Sequence, residues 1–356
     1  MKAAGMGASM GASMGARMAA PHPSTLMKPL TFALLRLLVD GKFHSGEMLA
    51  QRLGISRASV SNALHGVDDY GLALYSVPGR GYCLNNPPQW LDAALIARYL
   101  GEQAEQFQIE IFDSLPSSNT LLLQRAAQGA PSGSVLAVEL QSGGRGRLGR
   151  PWHSGLGNAL TFSLLWRFEL DLSALSGLSL AVGVALIRAL HALGMISARL
   201  KWPNDVLGGD GGKLAGILLE AQGDMLGPSA VVIGIGLNLS TPKHLLPQID
   251  QPVSSLEDMV ADMPGINVPE RNYLFAVILR ELQAILHEFA SNGFAALRAE
   301  WESHHALHNQ TVRLLLPDGR TEIGIARGVT EHGALILETV GGMQIFNAGE
   351  IGLRAS

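Results

Sequence analysis

The stretch Gln141-Ser142-Gly143-Gly144-Arg145-Gly146-Arg147-Leu148-Gly149-Arg150-Pro151-Trp152 carries three guanidinium groups and four glycines between two apolar runs, 134–140 and 159–166, that read as strands. Glycine lets backbone N–H groups approach a ligand closely, and arginine offers permanently charged planar forks for carboxylate and phosphate. An isolated segment of this kind also serves as a flexible basic surface loop. Two downstream motifs weigh toward anion binding: Lys201-Trp202-Pro203-Asn204-Asp205 and Lys213-Leu214-Ala215-Gly216-Ile217-Leu218-Leu219-Glu220.

Outward from that loop, strand-like runs (134–140, 159–166, 217–220, 231–237) alternate with helical ones (120–128, 175–193, 271–289), which predicts an α+β domain on a mixed sheet. A further strand-like run, 198–200, leads into Lys201, and Pro203 fixes the chain as it leaves. Asn204 and Asp205 are compatible with a plain Asx turn. Toward the C-terminus, short strands separated by turns at Asp318-Gly319, His332-Gly333 and Gly341-Gly342 predict a small SH3-like β-barrel.

Toward the N-terminus the chain reads helix, helix, helix, hairpin. The stripe Leu34, Leu35, Leu37, Leu38, Val39 stops at Asp40-Gly41; Ser45 caps a second helix that Gly54 ends, and Ser56 caps a third, 57–65. Two short strands around Pro78-Gly79-Arg80-Gly81 make a wing with a basic tip. A winged helix-turn-helix follows from pattern alone, and such domains bind either DNA or protein. Asn85-Asn86-Pro87-Pro88 breaks the periodicity and marks a boundary.

Composition narrows the functions. A formal net charge of −4 excludes a global basic field, so any DNA contact is local. Between Lys28 and Leu84, Lys28, Arg36, Lys42, Arg52, Arg57 and Arg80 face only Asp40, Glu47, Asp68 and Asp69. On the third helix Ser56, Arg57, Ser59 and Asn62 are the candidate DNA contacts, with Arg80 on the wing; arginine pairs with guanine or phosphate and asparagine bidentately with adenine. The single cysteine, Cys83, excludes an intramolecular disulfide, fits a reducing cytoplasm and is expected buried in a strand. His304-His305-x-x-His308 lacks thiolates and reads as a polar helix end, so no metal site is expected. The apolar run 177–190 is interrupted by Arg188 and falls short of the roughly 20 residues a bilayer span needs, so no membrane role is expected. The Gly-Ala-Ser-Met repeats near the start lack a signal peptide's apolar core, and residues 1–27 are expected to form a disordered tail.

Taken together and in this order, the Arg/Gly loop, Lys201–Asp205 and Lys213–Glu220 closely resemble the biotin protein ligases, which activate biotin with ATP and attach it to a lysine of a carrier protein. The resemblance runs from about Lys28 to the C-terminus. The N-terminal part resembles the DNA-binding domain of the two-function members, ligase and biotin-operon repressor. It implies a winged helix-turn-helix over 28–87, a class II synthetase-like catalytic domain over 88–308 and an SH3-like domain over 309–356. ATP, Mg²⁺ and biotin are the implied substrates and cofactors. The implied partners are the biotin carboxyl carrier protein of acetyl-CoA carboxylase, operator DNA, and a second copy in an adenylate-dependent homodimer.

By that resemblance Arg145 meets the carboxylate end of biotin, Arg147 the phosphates, and Lys213 the oxygens where the anhydride forms. Joining a carboxylate to a phosphate brings two anions together, which fixed positive charge must screen. Ser117, Ser118, Asn119, Gln141, the Gly144 N–H and the Gly216 backbone are the implied ring contacts. Ser118 stands where relatives usually carry threonine, and the position near Asn62 lacks the basic residue that repressors tend to carry. Arg150, Trp152, Lys201, Asn204, Asn238 and Arg354 are the implied nucleotide contacts, and Trp152 is equally explained by core packing. Asp205 either places Mg-ATP or accepts a proton from the attacking amine. The loop over 141–152 is expected to close on the adenylate. Two other readings stand beside this one: a lipoate or octanoate ligase on the same fold, and a biotin-sensing regulator without ligase activity, against which the retained Arg145, Arg147 and Lys213 argue.

Overall fold

The computed structural model describes residues 27–223, 227–242, 245–261, 263–316 and 319–347, and the backbone of 352–355. The tail expected over 1–27 lies outside them except for Met27, which is buried against the first domain's core. That domain opens with α1 (Pro29–Leu37), α2 (Gly46–Leu53) and α3 (Arg57–Leu64). Phe32, Leu34, Leu35, Leu49, Val60 and Leu64 make its core. Ser45 Oγ accepts from the Met48 N–H at 3.1 Å to start α2, and Gly54, at φ 64°, ends it in the left-handed region. The wing is the antiparallel pair β1 (Ala73–Val77) and β2 (Gly81–Asn85). Cys83 is buried in β2 as expected, its thiol 3.0 Å from the Gly41 carbonyl.

The central domain runs α4 (Ala93–Leu100), β3 (Gln108–Leu115), α5 (Ser118–Ala127), β4 (Ser134–Gln141), β5 (Ala159–Phe168), α6 (Leu178–Ala192), β6 (Arg199–Lys201), β7 (Asp205–Leu207), β8 (Lys213–Gly223), β9 (Ser229–Asn238), α7 (Leu256–Val260), α8 (Arg271–Asn292) and α9 (Arg298–Ser303). Its sheet has the order β3-β4-β5-β9-β8-β7-β6; only the β3·β4 pairing is parallel, so the sheet is mixed. Alternation along β5 and β9 gives the sheet two faces. Phe162, Leu164, Ile233 and Ile235 face α6 and α8 in the main core, whereas Leu165 and Val232 pack with Leu122 and Ala126 of α5 on the other. That second face also carries Gly216, Gly234 and Gly236 in place of bulky side chains, leaving a floor for the site beside the start of α5.

The apolar run at α6 is longer than the sequence reading allows. Ser173–Ala192 matches a membrane span in length and composition, yet most of its apolar stretch is buried inside the molecule, where it packs between the sheet and α8. Burial in the core, and not shortness, accounts for it. The histidine cluster also differs from expectation: His304 does follow α9, but His305 is only 6% exposed and stacks on Trp301 with ring centroids 4.7 Å apart. Burial holds its imidazole down at about 4, with His308 adding to the effect.

The last region forms β10 (Thr311–Leu315), β11 (Thr321–Val329), β12 (Leu335–Thr339), β13 (Gly342–Phe346) and β14 (Gly352–Ala355), an antiparallel sheet in the order β13-β12-β11-β10-β14. Val312, Leu314, Leu335 and Leu337 share the central domain's core. Trp202 Nε1–H donates to the Gly333 carbonyl at 2.9 Å, tying the Lys201–Asp205 motif to this sheet.

Contacts at the first domain's edge reach the Arg/Gly loop. Leu140, one residue before the loop, and Leu156, four after it, are both buried in the winged-helix core. The Leu156 N–H donates to the Tyr70 carbonyl at 2.9 Å. Arg36 of α1 bonds Asp113 of β3, and its guanidinium lies 4.5 Å from the Trp90 ring centroid. Behind the linker, Arg271 forms a fully buried ion pair with Glu139, and Glu139 Oε1 accepts from the Leu91 N–H at 2.7 Å. Paired and hydrogen-bonded in this way, the two charges hold the linker against β4.

Candidate active site

The glycine floor explains what lies on it. Gly216 and Gly236 are direct cross-strand partners in β8 and β9, and Trp152 covers both. A Cβ on Gly236 would sit 2.4 Å from Trp152 Cε2, and one on Gly234 2.3 Å from Asn119 Oδ1. Any side chain there would displace the indole or the amide. Trp152 therefore lies against the sheet, and its Nε1–H is buried without a hydrogen-bond partner.

At the start of α5, Ser117 is the N-cap, accepting from the Thr120 N–H at 3.3 Å, while Ser118 and Asn119 turn into the floor and are buried. The Ser118 N–H and hydroxyl contact Gln141 Oε1 at 2.7 and 3.0 Å. Those contacts fix the Gln141 amide with Nε2 toward Gly144, where a Cβ would lie 3.3 Å from it. Asn119 Oδ1 accepts from the hydroxyl of Ser163, which is fully buried and also lies 2.7 Å from Ser118 Oγ. Asn119 Nδ2 donates to Glu220 Oε2 at 2.9 Å.

The Arg/Gly loop folds back on itself. The Trp152 N–H donates to the Gly144 carbonyl at 2.8 Å and the Gly146 N–H to the Arg150 carbonyl at 2.7 Å. Leu148 takes φ 56° and is 80% exposed at the tip, with Arg150 exposed beside it. Arg145 turns inward: its Nη2 is 2.9 Å from both Glu220 oxygens, and its Nε is buried without a partner. Arg147 Nη1 donates to Asn204 Oδ1 at 3.4 Å, and Asn204 Nδ2 donates to the Ile217 carbonyl at 2.7 Å. Burial pulls the Arg147 guanidinium below its usual range; Asp205 opposes that and Arg150 adds to it.

Lys213 opens β8 with its ammonium 2.7 Å from Asp205 Oδ1, a charge contact without an aligned hydrogen bond, and 5.9 Å from the Trp152 ring centroid. Asn238 spends its Nδ2 on the carbonyls of Lys213 and Ser254, both at 3.1 Å, so it braces the backbone that carries the lysine. Lys201 lies opposite Asp205 in the β6·β7 register. For Arg354 only the backbone is described, opposite Arg313; its side chain lies outside the described residues.

One patch thus gathers Ser118, Asn119, Gln141, Gly144, Arg145, Arg147, Trp152, Asn204, Asp205, Lys213 and Gly216. Chemically it offers an amide-and-hydroxyl cradle at one end, three cations along its length and unpaired N–H donors on Arg145 and Trp152. Such a cradle suits a neutral hydrogen-bonding ring, and the cations suit a carboxylate meeting a phosphate. Ser163 and Glu220 were not singled out from sequence. The signal was present, since Gly216, Leu218 and Glu220 share a face at period 2 and Ser163 faces Gly234 across β5 and β9. Among the described residues no group of three His, Cys, Asp or Glu side chains is placed to hold a metal ion.

The winged-helix candidates separate. Ser56 Oγ accepts from the Ser59 N–H at 3.1 Å and lies 2.9 Å from Ser59 Oγ, so these hydroxyls cap α3. Arg57 and Asn62 are exposed on α3. Arg80, at the wing tip, lies 4.0 Å from the Phe43 ring centroid.

Residues 111–238 match the biotin/lipoate A/B protein ligase family, 307–354 the biotin protein ligase C terminal domain, and 31–83 an HTH domain. The bifunctional ligase/repressor BirA of Escherichia coli is 37% identical over 91% of this chain and 97% of its own length. The biotin–[acetyl-CoA-carboxylase] ligase of Mycobacterium tuberculosis is 35% identical over 68% of this chain and 88% of its own. Among solved structures, the biotin protein ligase from Aquifex aeolicus in complex with biotin and ATP matches with a TM-score of 0.59 at 26% identity, covering 70% of this chain and 99% of that one.

Proposed function

The chain belongs to the biotin protein ligases of the bifunctional ligase/repressor kind, and from that premise we propose the following division of labour in its site. The chain is an ATP-dependent biotin ligase with a DNA-binding domain. Biotin and MgATP form biotinyl-5′-adenylate and pyrophosphate, and a carrier lysine amine then attacks the anhydride carbonyl and releases AMP.

The ureido ring lies at the Ser118, Asn119, Gln141 and Gly144 end, where fixed amides and hydroxyls meet a neutral ring. The biotin carboxylate points toward Arg145 and Lys213, the α-phosphate toward Arg147 and Lys213. Lysine suits the joint because a compact ammonium follows charge from carboxylate to phosphate. Arg150, Lys201, Asn204, Asn238 and Arg354 complete the nucleotide side, Asn238 by holding the Lys213 backbone. Trp152 and the loop over 141–152 shield the anhydride from water. Mg²⁺ enters with the nucleotide as part of the substrate, and the Asp205 carboxylate is the anionic group beside Lys213.

The acceptor is the biotin carboxyl carrier protein of acetyl-CoA carboxylase, and the reaction runs in the cytoplasm. Arg57, Asn62 and Arg80 contact operator DNA, and the adenylate-bound chain pairs with a second copy to span two half-sites. The observation that carries this reading is the convergence of Arg145, Arg147 and Lys213 on the glycine floor beside the Asn119 amide. Purified chain incubated with labelled biotin, MgATP and a carrier domain is expected to label the carrier. No transfer where a known ligase works overturns the reading. Competition by lipoate in the same assay separates a lipoate ligase from a biotin one.

A further inference from the structure

Glu220 is the acceptor shared by two residues that the proposed function sets at opposite ends of the vitamin. Asn119 Nδ2 reaches its Oε2 at 2.9 Å, and Arg145 Nη2 reaches both its oxygens at 2.9 Å. A carboxylate paired with a guanidinium accepts hydrogen bonds and cannot donate them. The Asn119 amide is therefore forced to turn its nitrogen to Glu220 and its oxygen to the Ser163 hydroxyl. An asparagine between two neutral partners would be free to flip, exchanging donor for acceptor in the ring cradle.

We infer that Glu220 is a positioning residue for vitamin binding: it fixes the polarity of the Asn119 amide and, through Arg145, ties the Arg/Gly loop to the same strand. The inference rests on the functional reading above. Ser163 is the second half of the device, since it clamps Asn119 Oδ1 from the far side and touches Ser118. Both residues lie on the glycine face, Glu220 on β8 and Ser163 on β5, so the sheet itself sets the spacing between them. The Leu218 carbonyl, 3.4 Å from Asn119 Nδ2, supports the same orientation more weakly.

The test is steady-state adenylation, read as biotin-dependent pyrophosphate release, on Glu220→Gln, Asn119→Ala and the double variant. Glutamine keeps the size and removes the enforced polarity. The expected result is a KM for biotin raised about tenfold in Glu220→Gln with kcat within about threefold, and a clearly smaller rise when Glu220→Gln is added to Asn119→Ala, the remainder being the share carried by Arg145. An unchanged KM, or effects of the two substitutions that multiply independently, overturns the assignment. A wild type that fails to adenylate biotin overturns the functional reading and this assignment with it, whereas an active wild type beside an unaltered Glu220→Gln overturns this assignment alone. If Glu220→Gln does not fold, Ser163→Ala removes the opposite clamp and is read by the same criteria.

Discussion

Lys213 Nζ lies 2.7 Å from Asp205 Oδ1, with both side chains mostly shielded from solvent. The ammonium is thus held by a carboxylate beside the floor that Trp152 covers. In the proposed reaction it stays protonated and its positive charge faces the oxygens of the forming anhydride. Lys213→Ala removes that charge and is expected to lower adenylation about 10²-fold or more. Single-turnover formation of biotinyl-adenylate checks it; an unchanged rate removes Lys213 from the chemistry.

Asp205 has two possible duties, and one substitution separates them. Asp205→Asn keeps the shape and removes both the charge and the proton-accepting power. If Asp205 places MgATP, the variant's KM for ATP rises and adenylation slows. If it accepts the proton of the attacking amine, adenylation is kept and transfer from preformed adenylate to the carrier falls by about 10² or more. Measuring the two half-reactions separately decides between them.

The Arg/Gly loop between two strands, the three-region layout and most strands and helices were legible because each rests on a local signal. Ser45 and Ser56 cap helices where the capping pattern places them, and the α8 apolar pattern begins at Arg271. What sequence could not give was set by contacts across the fold. Leu140 read as the last residue of an ordinary strand and Leu156 lay in no assigned element, yet both fill the winged-helix core. His305 read as part of a polar helix end, while stacking on Trp301 and contact with Leu200 bury it. Glu220 entered only as the last residue of the strand-like run 217–220, and the parity of β8 brings it to Asn119 and Arg145.

Gly236 has no room for a methyl group, since its Cβ would lie 2.4 Å from the Trp152 indole. Gly236→Ala is therefore expected to lift Trp152 from the sheet and open the cover over the adenylate. Release of preformed adenylate, followed by dilution, should accelerate about tenfold or more. Trp152→Ala should match it, and the double variant should be no worse than either. An unaltered release rate in both single variants removes Trp152 from the cover.

Arg57 and Asn62 are the exposed candidates for base and phosphate contact on α3 once the Ser56 and Ser59 hydroxyls are spent on the cap. Asn62→Ala is expected to cost about 1–3 kcal/mol of operator affinity and to relax preference at one base pair. Arg57→Ala, if it loses a phosphate contact, should flatten the salt dependence by about one unit of slope. Ligation should be unaffected by either. Point substitutions serve better here than removal of residues 1–86, because that removal uncovers Leu140 and Leu156 at the two ends of the Arg/Gly loop. Quantitative gel shifts with the biotin-gene upstream DNA, at several salt concentrations, make the measurement.

His305 supplies an acid-sensitive element in the core, bridged to Leu200 of β6. Its imidazole titrates at about 4 against an ordinary 6.5, because burial disfavours the charged form and His308 beside it adds to the effect. The folded state therefore binds fewer protons here than the unfolded chain between those two values. Its stabilising contribution is full above 6.5 and is lost as pH falls toward 4. By linkage the loss between about pH 7 and about pH 5 amounts to about 2 kcal/mol. His305→Phe keeps a ring against Trp301 and leaves no buried nitrogen, so it should remove that part of the pH slope. Urea midpoints of the two proteins at both pH values give the answer, and parallel losses in wild type and variant would exclude His305 as the titrating group.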